Sequence, residues 1–286
     1  SCLYLYKKRL MKPDKKEVER LLKDALREDI GTGDITTNIL VNKRDQGKAR
    51  IILNQEAIIC GTHILKEVFQ KISPKCKIKI SIRDGKEGRM GDTVASIQGP
   101  IHAILTGERA ALNILQHLSG ISTLTKSFVK KIRGTKANIL DTRKTTPGLR
   151  LIEKYATFIG GAKNHRMGLY DHVLVKDNHI NVLGNIKKTL EKLKKNKIYD
   201  FIIECENLTQ VKQALNNDVK YILLDNMSLK NLKNAVKIAS GKAALEASGN
   251  INLNNIKKIA NTGVDFISVG KITHSAKSID MSLKIE

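Results

Sequence analysis

The run Phe201-Ile-Ile-Glu-Cys-Glu-Asn-Leu-Thr-Gln-Val-Lys-Gln-Ala-Leu-Asn-Asn-Asp-Val-Lys-Tyr-Ile-Leu-Leu-Asp225 holds one full structural period. Phe201–Ile203 is a short apolar run that ends on the acid Glu204. A helical stretch near 208–216 follows, with Asn close to its start, as N-capping favours. A second apolar run, Tyr221–Leu224, ends on Asp225. Strand, acid, helix, strand, acid is the pattern of a parallel βα unit. The same rhythm extends outward. Further strands are expected at Asn138–Leu140, Val173–Val175, Ala243–Leu245 and Phe266–Val269, and further helices near 185–196, 229–239 and 253–260. Each strand leads into polar or small residues, and in a closed barrel all these strand ends meet at one mouth. Six strands predict an incomplete α/β barrel, with an open doubly wound sheet as the alternative.

Upstream of Asn138 the pattern is different. Val18, Leu21, Leu22, Ala25 and Leu26 recur at helical spacing between Asp14 and Asp29, and Gly31-Thr-Gly-Asp34 forms a turn after them. Strands are expected within Lys48–Cys60, Cys76–Ile82 and Thr93–Ile97, with a helix over His63–Ile72. A second helix is expected over Thr106–Leu118, closed by Ser119-Gly120, with Arg109 in its first turn. A cation there opposes the helix dipole, so a ligand, a partner subunit or the neighbouring Glu108 must offset it.

A chain of 286 residues that is 41% hydrophobic can build one large core or two ordinary ones, which excludes disorder. The net charge of +23 favours anionic ligands. Nucleic acid is not expected, because only 4% of residues are aromatic, Trp is absent and no basic segment is interleaved with stacking side chains. No apolar run reaches the ~18 to 20 residues of a membrane span, and Cys2–Leu10 is too short for a signal-peptide core, so an extension or docking arm is expected there. Cys2, Cys60, Cys76 and Cys205 form no CxxC pair, so reduced thiols in a cytoplasmic protein are the expectation.

The chemistry concentrates in Asp141-Thr-Arg-Lys-Thr-Thr-Pro-Gly-Leu-Arg150, Gly160-Gly-Ala-Lys-Asn-His-Arg166 and Val173-Leu-Val-Lys176. Arg143 and Arg166, beside Lys144 and Lys176, offer fork-shaped and point-like donors that make an anion cradle. The plainer alternative is a solvated basic loop. Glu204 and Asp225 end successive strands at equivalent positions, where they can hold Mg²⁺, accept hydrogen bonds from sugar hydroxyls, or pair with a neighbouring cation. Glu206 and Glu246 are weaker candidates of the same kind. Ser248-Gly249-Asn250 and Gly270 lie at strand-to-helix turns whose amides can bind phosphate. His165, His172 and His179 are spaced by sevens, which fits no zinc motif. His172 is expected to be structural and His165 to face substrate. The P-loop, complete GxGxxG, GxSxG and HExxH signatures are all absent.

These stretches, together with Ala25–Thr37, Gly107–Asn113, Leu118–Ser122, Val175–His179, Glu246–Gly249, Ile267–Gly270 and Thr273-His274, resemble the quinolinate phosphoribosyltransferases, in order from about residue 25 to 276. The resemblance implies an N-terminal α/β sandwich domain over 1–118 and an incomplete, seven-stranded-type α/β barrel over 119–271, with the tail 272–286 packing back on the first domain. It implies decarboxylating transfer of phosphoribose to quinolinate in NAD biosynthesis, with a relative using another acceptor such as nicotinate as the alternative. It implies Mg²⁺ as cofactor at Glu204 and Asp225. A homodimer with shared active sites, open to further assembly, is implied too, with Arg109 donated across the interface. Thr142, Arg143, Lys144, His165, Arg166 and Lys176 match the positive pocket, and Ser248, Gly249, Asn250 and Gly270 match the phosphate turns. Lys144, His165, Glu204 and Asp225 are the implied catalytic residues. The family usually has a second Gly where this chain has Asn250. Asn tolerates a left-handed backbone, so binding is expected to survive.

Overall fold

The computed structural model describes residues 13–286, so the expectations for Cys2–Leu10 lie outside the described residues. Two compact units are present.

Among the described residues the first unit takes 13–126, then Thr145–Gly161 and Ser275–Glu286. In chain order its elements are α1 (Lys15–Ile30), α2 (Ile35–Leu40), β1 (Gln46–Leu53), β2 (Ala57–Ile58), α3 (Thr62–Ile72), β3 (Lys77–Ile80), β4 (Glu87–Gly88), β5 (Thr93–Pro100) and α4 (Ile101–Lys131). Asp14 starts α1 by accepting the Lys16 N–H, and Asp34 starts α2 by accepting that of Thr37. A four-stranded antiparallel sheet, ordered β12-β1-β5-β3, is completed by β12 (Met281–Ile285), which pairs with β1 along Ala49↔Ile285 to Leu53↔Met281. One core joins Val18 and Leu22 of α1, Ile64, Val68 and Phe69 of α3, Leu112 and Leu115 of α4 and Met281 of β12 against the inward side chains of β1 and β5. These helices laid on one sheet make an α/β sandwich.

The second unit takes Ser127–Lys144 and Ala162–His274. It contains β6 (Asn138–Leu140), β7 (Leu174–Val175), α6 (Asp177–Leu183), α7 (Ile186–Lys195), β8 (Ile202–Cys205), α8 (Leu208–Asn216), β9 (Tyr221–Asp225), α9 (Leu229–Ala239), β10 (Ala244–Ser248), α10 (Ile256–Ala260), β11 (Phe266–Ser268) and α11 (Lys271–His274). Between β6 and β7 in sequence comes α5 (Arg150–Ile159), which belongs to the first unit. The strands are parallel and ordered β6-β11-β10-β9-β8-β7. The first strand therefore lies beside the last, the cyclic order of a barrel. Lys163 adds a parallel bridge on the free side of β6, at Leu140. Among the described residues this makes seven positions around an incomplete ring, and the open sheet is excluded.

Local sequence explains these elements. Asn185, Asn207 and Ser228 cap α7, α8 and α9 by accepting the N–H of Lys188, Gln210 and Asn231. β8 and all but the last residue of β9 are buried, as strands covered on both faces require. Alternation then sends Ile202 and Glu204, Tyr221, Leu223 and Asp225, Ala244, Glu246 and Ser248, and Phe266 and Ser268 to one face of their strands. Leu140, Leu174, Ile202, Tyr221, Leu223 and Phe266 pack there as a core.

One expectation is corrected. The helix expected to close at Ser119-Gly120 runs on to Lys131. Gly120 is held in α4 because a Cβ there would overlap the Lys277 carbonyl oxygen, so its small size serves packing rather than termination. Ser119 and Ser122 are likewise buried, and their hydroxyls bond the main chain at Cys60 and Ile58. Arg109 consequently sits in mid-helix and not in a first turn, so the dipole argument does not apply to it. Neither compact unit is continuous in sequence. The break falls inside α4 at Lys126/Ser127, and α5 joins the first unit because Ile152 and Ala156 belong to its core. No helix of the described residues is long and apolar enough to cross a membrane.

Candidate active site

The strand ends of the second unit open into a cavity of about 700 Å³. Its lining holds Thr142, Arg143, Lys144, His165, Arg166, Lys176, Glu204, Asp225, Ser248, Gly249, Asn250 and Gly270, so every candidate residue but Arg109 meets in one place. Arg109 is exposed on α4, in the other unit.

The loop after β6 begins at Asp141, which is fully buried. Its Oδ1 accepts the His165 N–H at 2.7 Å and its Oδ2 accepts the Asn164 Nδ2–H at 2.6 Å. This aligns 164–166 with the cationic loop. Arg166 is nearly buried, and its Nη1 donates to the His172 carbonyl at 2.8 Å. Burial and the neighbouring Arg143 guanidinium pull Arg166 below its ordinary proton affinity, while Asp171 opposes them. Lys176 precedes α6, with Nζ 4.0 Å from Glu204 Oε2. Glu204 lies at 11% side-chain exposure. Burial raises its carboxyl above the usual range and the nearby Asp225 adds to that, while Lys176 opposes it.

The turns are shaped for close backbone approach. Gly249 has φ +99°, and a Cβ there would overlap the Asn226 side chain. Asn226 and Asn250 both have φ 51°, the left-handed region that Asn enters most readily among side chains with a Cβ. Asn226 Nδ2 donates to Asp225 Oδ2 at 2.8 Å, and Asn255 Nδ2 donates to the Asn250 carbonyl at 3.0 Å. Thr273 Oγ1 donates to the Lys144 carbonyl at 2.7 Å, tying α11 to the loop after β6.

His165 lines the cavity. Its Nδ1 accepts the Arg166 N–H at 2.8 Å, and its Nε2 faces Glu246 Oε2 at 3.5 Å. Both ring nitrogens are turned to protein groups. Glu246, ranked weakly from sequence, is fully buried and lines the cavity, as do Ser268, Asn226, Lys271 and His274. The signal available for Glu246 and Ser268 was their alternation with Ala244 and Phe266.

Among the described residues no group of three or more His, Cys, Asp and Glu could by itself hold a metal. The two neighbouring carboxylates of Glu204 and Asp225 still fit Mg²⁺, which binds through one or two carboxylates and takes its other oxygens from substrate and water.

Fold and cavity together define an α/β protein with a cation-rich cavity at the mouth of an incomplete parallel barrel. Residues 34–119 match the family model of the quinolinate phosphoribosyl transferase N-terminal domain, and residues 121–284 match that of its C-terminal domain. The chain belongs to the quinolinate phosphoribosyl transferase family. It is 40% identical over 273 residues to a probable carboxylating nicotinate-nucleotide pyrophosphorylase of Synechocystis sp., covering 94% of this chain and 92% of that relative. It resembles the solved nicotinate-nucleotide pyrophosphorylase of Francisella tularensis with a TM-score of 0.94 at 41% identity, covering 98% of this chain and 100% of that one. For the corresponding structure from Ehrlichia chaffeensis the TM-score is 0.90 at 42% identity, covering 94% and 98%.

Proposed function

We propose that the chain joins quinolinate to phosphoribosyl pyrophosphate, releasing pyrophosphate and carbon dioxide and leaving nicotinate mononucleotide. The observation that carries this reading is the cavity itself. It sets Arg143, Lys144, Arg166, Lys176 and Lys271 around the acids Glu204 and Asp225, in the unit that bears the family's C-terminal domain.

The residues account for each bond that changes. Arg143 and Arg166 grip the two carboxylates of quinolinate and aim its ring nitrogen at the sugar C1. The nitrogen lone pair forms the new C–N bond as the C–O bond to pyrophosphate breaks. Lys176 takes up charge on the departing oxygens, and Glu204 and Asp225 stabilise the cationic character left on the ribose. The amides of Ser248–Asn250 and Gly270 hold the phosphate that stays. The ribosylated ring is then a cation adjacent to a carboxylate. Carbon dioxide leaves with the electron pair remaining on C2, which the ring cation stabilises until a proton replaces it. Lys144 supports that step by its charge.

Glu204 and Asp225 would hold Mg²⁺, which when bound neutralises pyrophosphate charge. The reading includes a homodimer in which exposed Arg109 serves the partner's site, and a cytoplasmic location supported by the three buried free thiols Cys60, Cys76 and Cys205. The test is an assay of the purified chain with quinolinate, phosphoribosyl pyrophosphate and Mg²⁺. Carbon dioxide should equal pyrophosphate mole for mole. Turnover with nicotinate but not with quinolinate refutes the acceptor, and turnover with neither refutes the reaction.

A further inference from the structure

Glu246 presents a contradiction of charge. It is a fully buried carboxylate lining a cavity built for anions, where it repels the ligand and costs desolvation energy. Its surroundings nevertheless favour the ionised form. Tyr221 Oη donates to its Oε2 at 2.7 Å, and Ser268 Oγ donates to its Oε1. Burial pushes its proton affinity up, but His165 and the hydroxyl donors outweigh burial and hold it below the usual carboxylate range. A negative charge maintained at that cost must serve a neighbour.

That neighbour is His165. Its Nδ1 lies 2.8 Å from the Arg166 main-chain N–H as acceptor, a contact that suits a ring with its proton on Nε2, and Nε2 faces Glu246 at 3.5 Å. On its main-chain side His165 is held by Asp141, whose Oδ1 accepts its N–H at 2.7 Å. A neutral amide or a hydroxyl at position 246 would not favour one tautomer of His165 so strongly as a carboxylate does. With the Nδ1–H tautomer, the Arg166 N–H would meet a donor and turn away. The guanidinium, fixed at its far end by the His172 carbonyl, would lose its aim.

We infer that Glu246 is a positioning residue for anion binding: it fixes the Nε2–H tautomer of His165, which frees Nδ1 to pin the Arg166 main chain beneath the ligand. Tyr221 and Ser268 belong to the same device, because they hold the Glu246 carboxylate in place. The chain of command runs from β9 and β11 through β10 to the loop that carries Arg166, and none of its members needs to touch the substrate.

The inference rests on the proposed reaction only for its kinetic arm, so the experiment has two arms. In the first, full-length protein with ¹⁵N-labelled histidine is studied by NMR without substrate. His165 should show a bare Nδ1 and a protonated Nε2 in the wild type, and a mixture of tautomers in Glu246→Gln. An Nδ1–H or doubly protonated ring in the wild type, or an unchanged tautomer in the variant, overturns the inference.

In the second arm, Glu246→Gln should raise the quinolinate KM by about tenfold or more, the scale of one charge-assisted hydrogen bond, with the phosphoribosyl pyrophosphate KM within about twofold. Because Glu246 acts through His165, adding Glu246→Gln to His165→Asn should cause no further loss, and multiplicative losses overturn the inference. Should Glu246→Gln fail to fold, Tyr221→Phe removes one donor without changing charge. It should move the same KM in the same direction by a smaller factor, and an unmoved KM counts against the proposal. If the wild type itself does not turn over quinolinate, the functional reading fails while the tautomer measurement still decides this one.

Discussion

Arg143 and Arg166 show how a residue's type and its placement divide the work. Burial and the Arg143 guanidinium both lower the proton affinity of Arg166, and Asp171 opposes them. Arg143→Ala and Arg166→Ala should each weaken quinolinate binding by roughly 1.5 kcal/mol or more, measured by titration calorimetry. In the first unit, Asp84 does structural work of the same precision. Its carboxylate accepts the N–H groups of Gly61 and Thr62, the Thr62 hydroxyl and the Tyr155 hydroxyl at 2.7 to 3.0 Å, capping α3 from a distance. Burial alone would raise this carboxyl, but His63 and these donors bring it from 3.8 down to about 2. A folded-state value below the unfolded one gives stability that is fully present above pH 4 and lost as pH falls towards 2, worth about 2 kcal/mol at roughly 1.4 kcal/mol per pH unit. Denaturant unfolding should show Asp84→Asn destabilised by about that amount at neutral pH, with the gap to wild type closing in acid.

At the scale of elements, α4 is the instructive case. A sequence reader meets Ser119-Gly120 after a strong amphipathic stretch and ends the helix there, since both residues favour stops. What the chain needs at 120 is absence of a side chain, because Lys277 in the segment leading to β12 crosses at that point. Gly120→Ala should improve helix propensity locally yet destabilise the protein by roughly 1 to 3 kcal/mol, the cost of overpacking a filled site, with the loss read as a lower midpoint in denaturant. The turn after β10 makes the complementary point. Asn250 already occupies φ 51°. Asn250→Gly should therefore leave phosphoribosyl pyrophosphate affinity within about twofold, whereas Asn250→Val, β-branched in a left-handed position, should weaken it, as equilibrium binding would report.

For the whole molecule, the residue that bears on assembly is Arg109, exposed in mid-helix on α4. If it serves a second copy, mixing inactive Arg109→Ala protomers with inactive Lys144→Ala protomers should restore part of the activity, since some hybrid sites then carry both wild-type residues. No recovery after verified subunit exchange would remove the shared site. The net charge of +23 acts at this same scale, favouring the approach of anionic substrates, and it says nothing about which side chains receive them.

The barrel rhythm was legible in sequence because strand alternation and the caps Asn185, Asn207 and Ser228 are settled within a few neighbours of each residue. The cationic loop and the acids Glu204 and Asp225 were legible because each sits directly after a strand, and the strand ends of a parallel ring converge. Which face of β10 and β11 looks inward was not legible, because strands covered on both sides are apolar on both. Glu246 and Ser268 therefore passed for lesser residues until the ring was closed around them. The carboxylate of Asp84 beneath α3, the carbonyl of Lys277 against Gly120 and the imidazole of His165 against Glu246 were decided by tertiary structure alone. Each joins residues far apart in the chain, and contacts of that kind exist only once packing has brought the segments together.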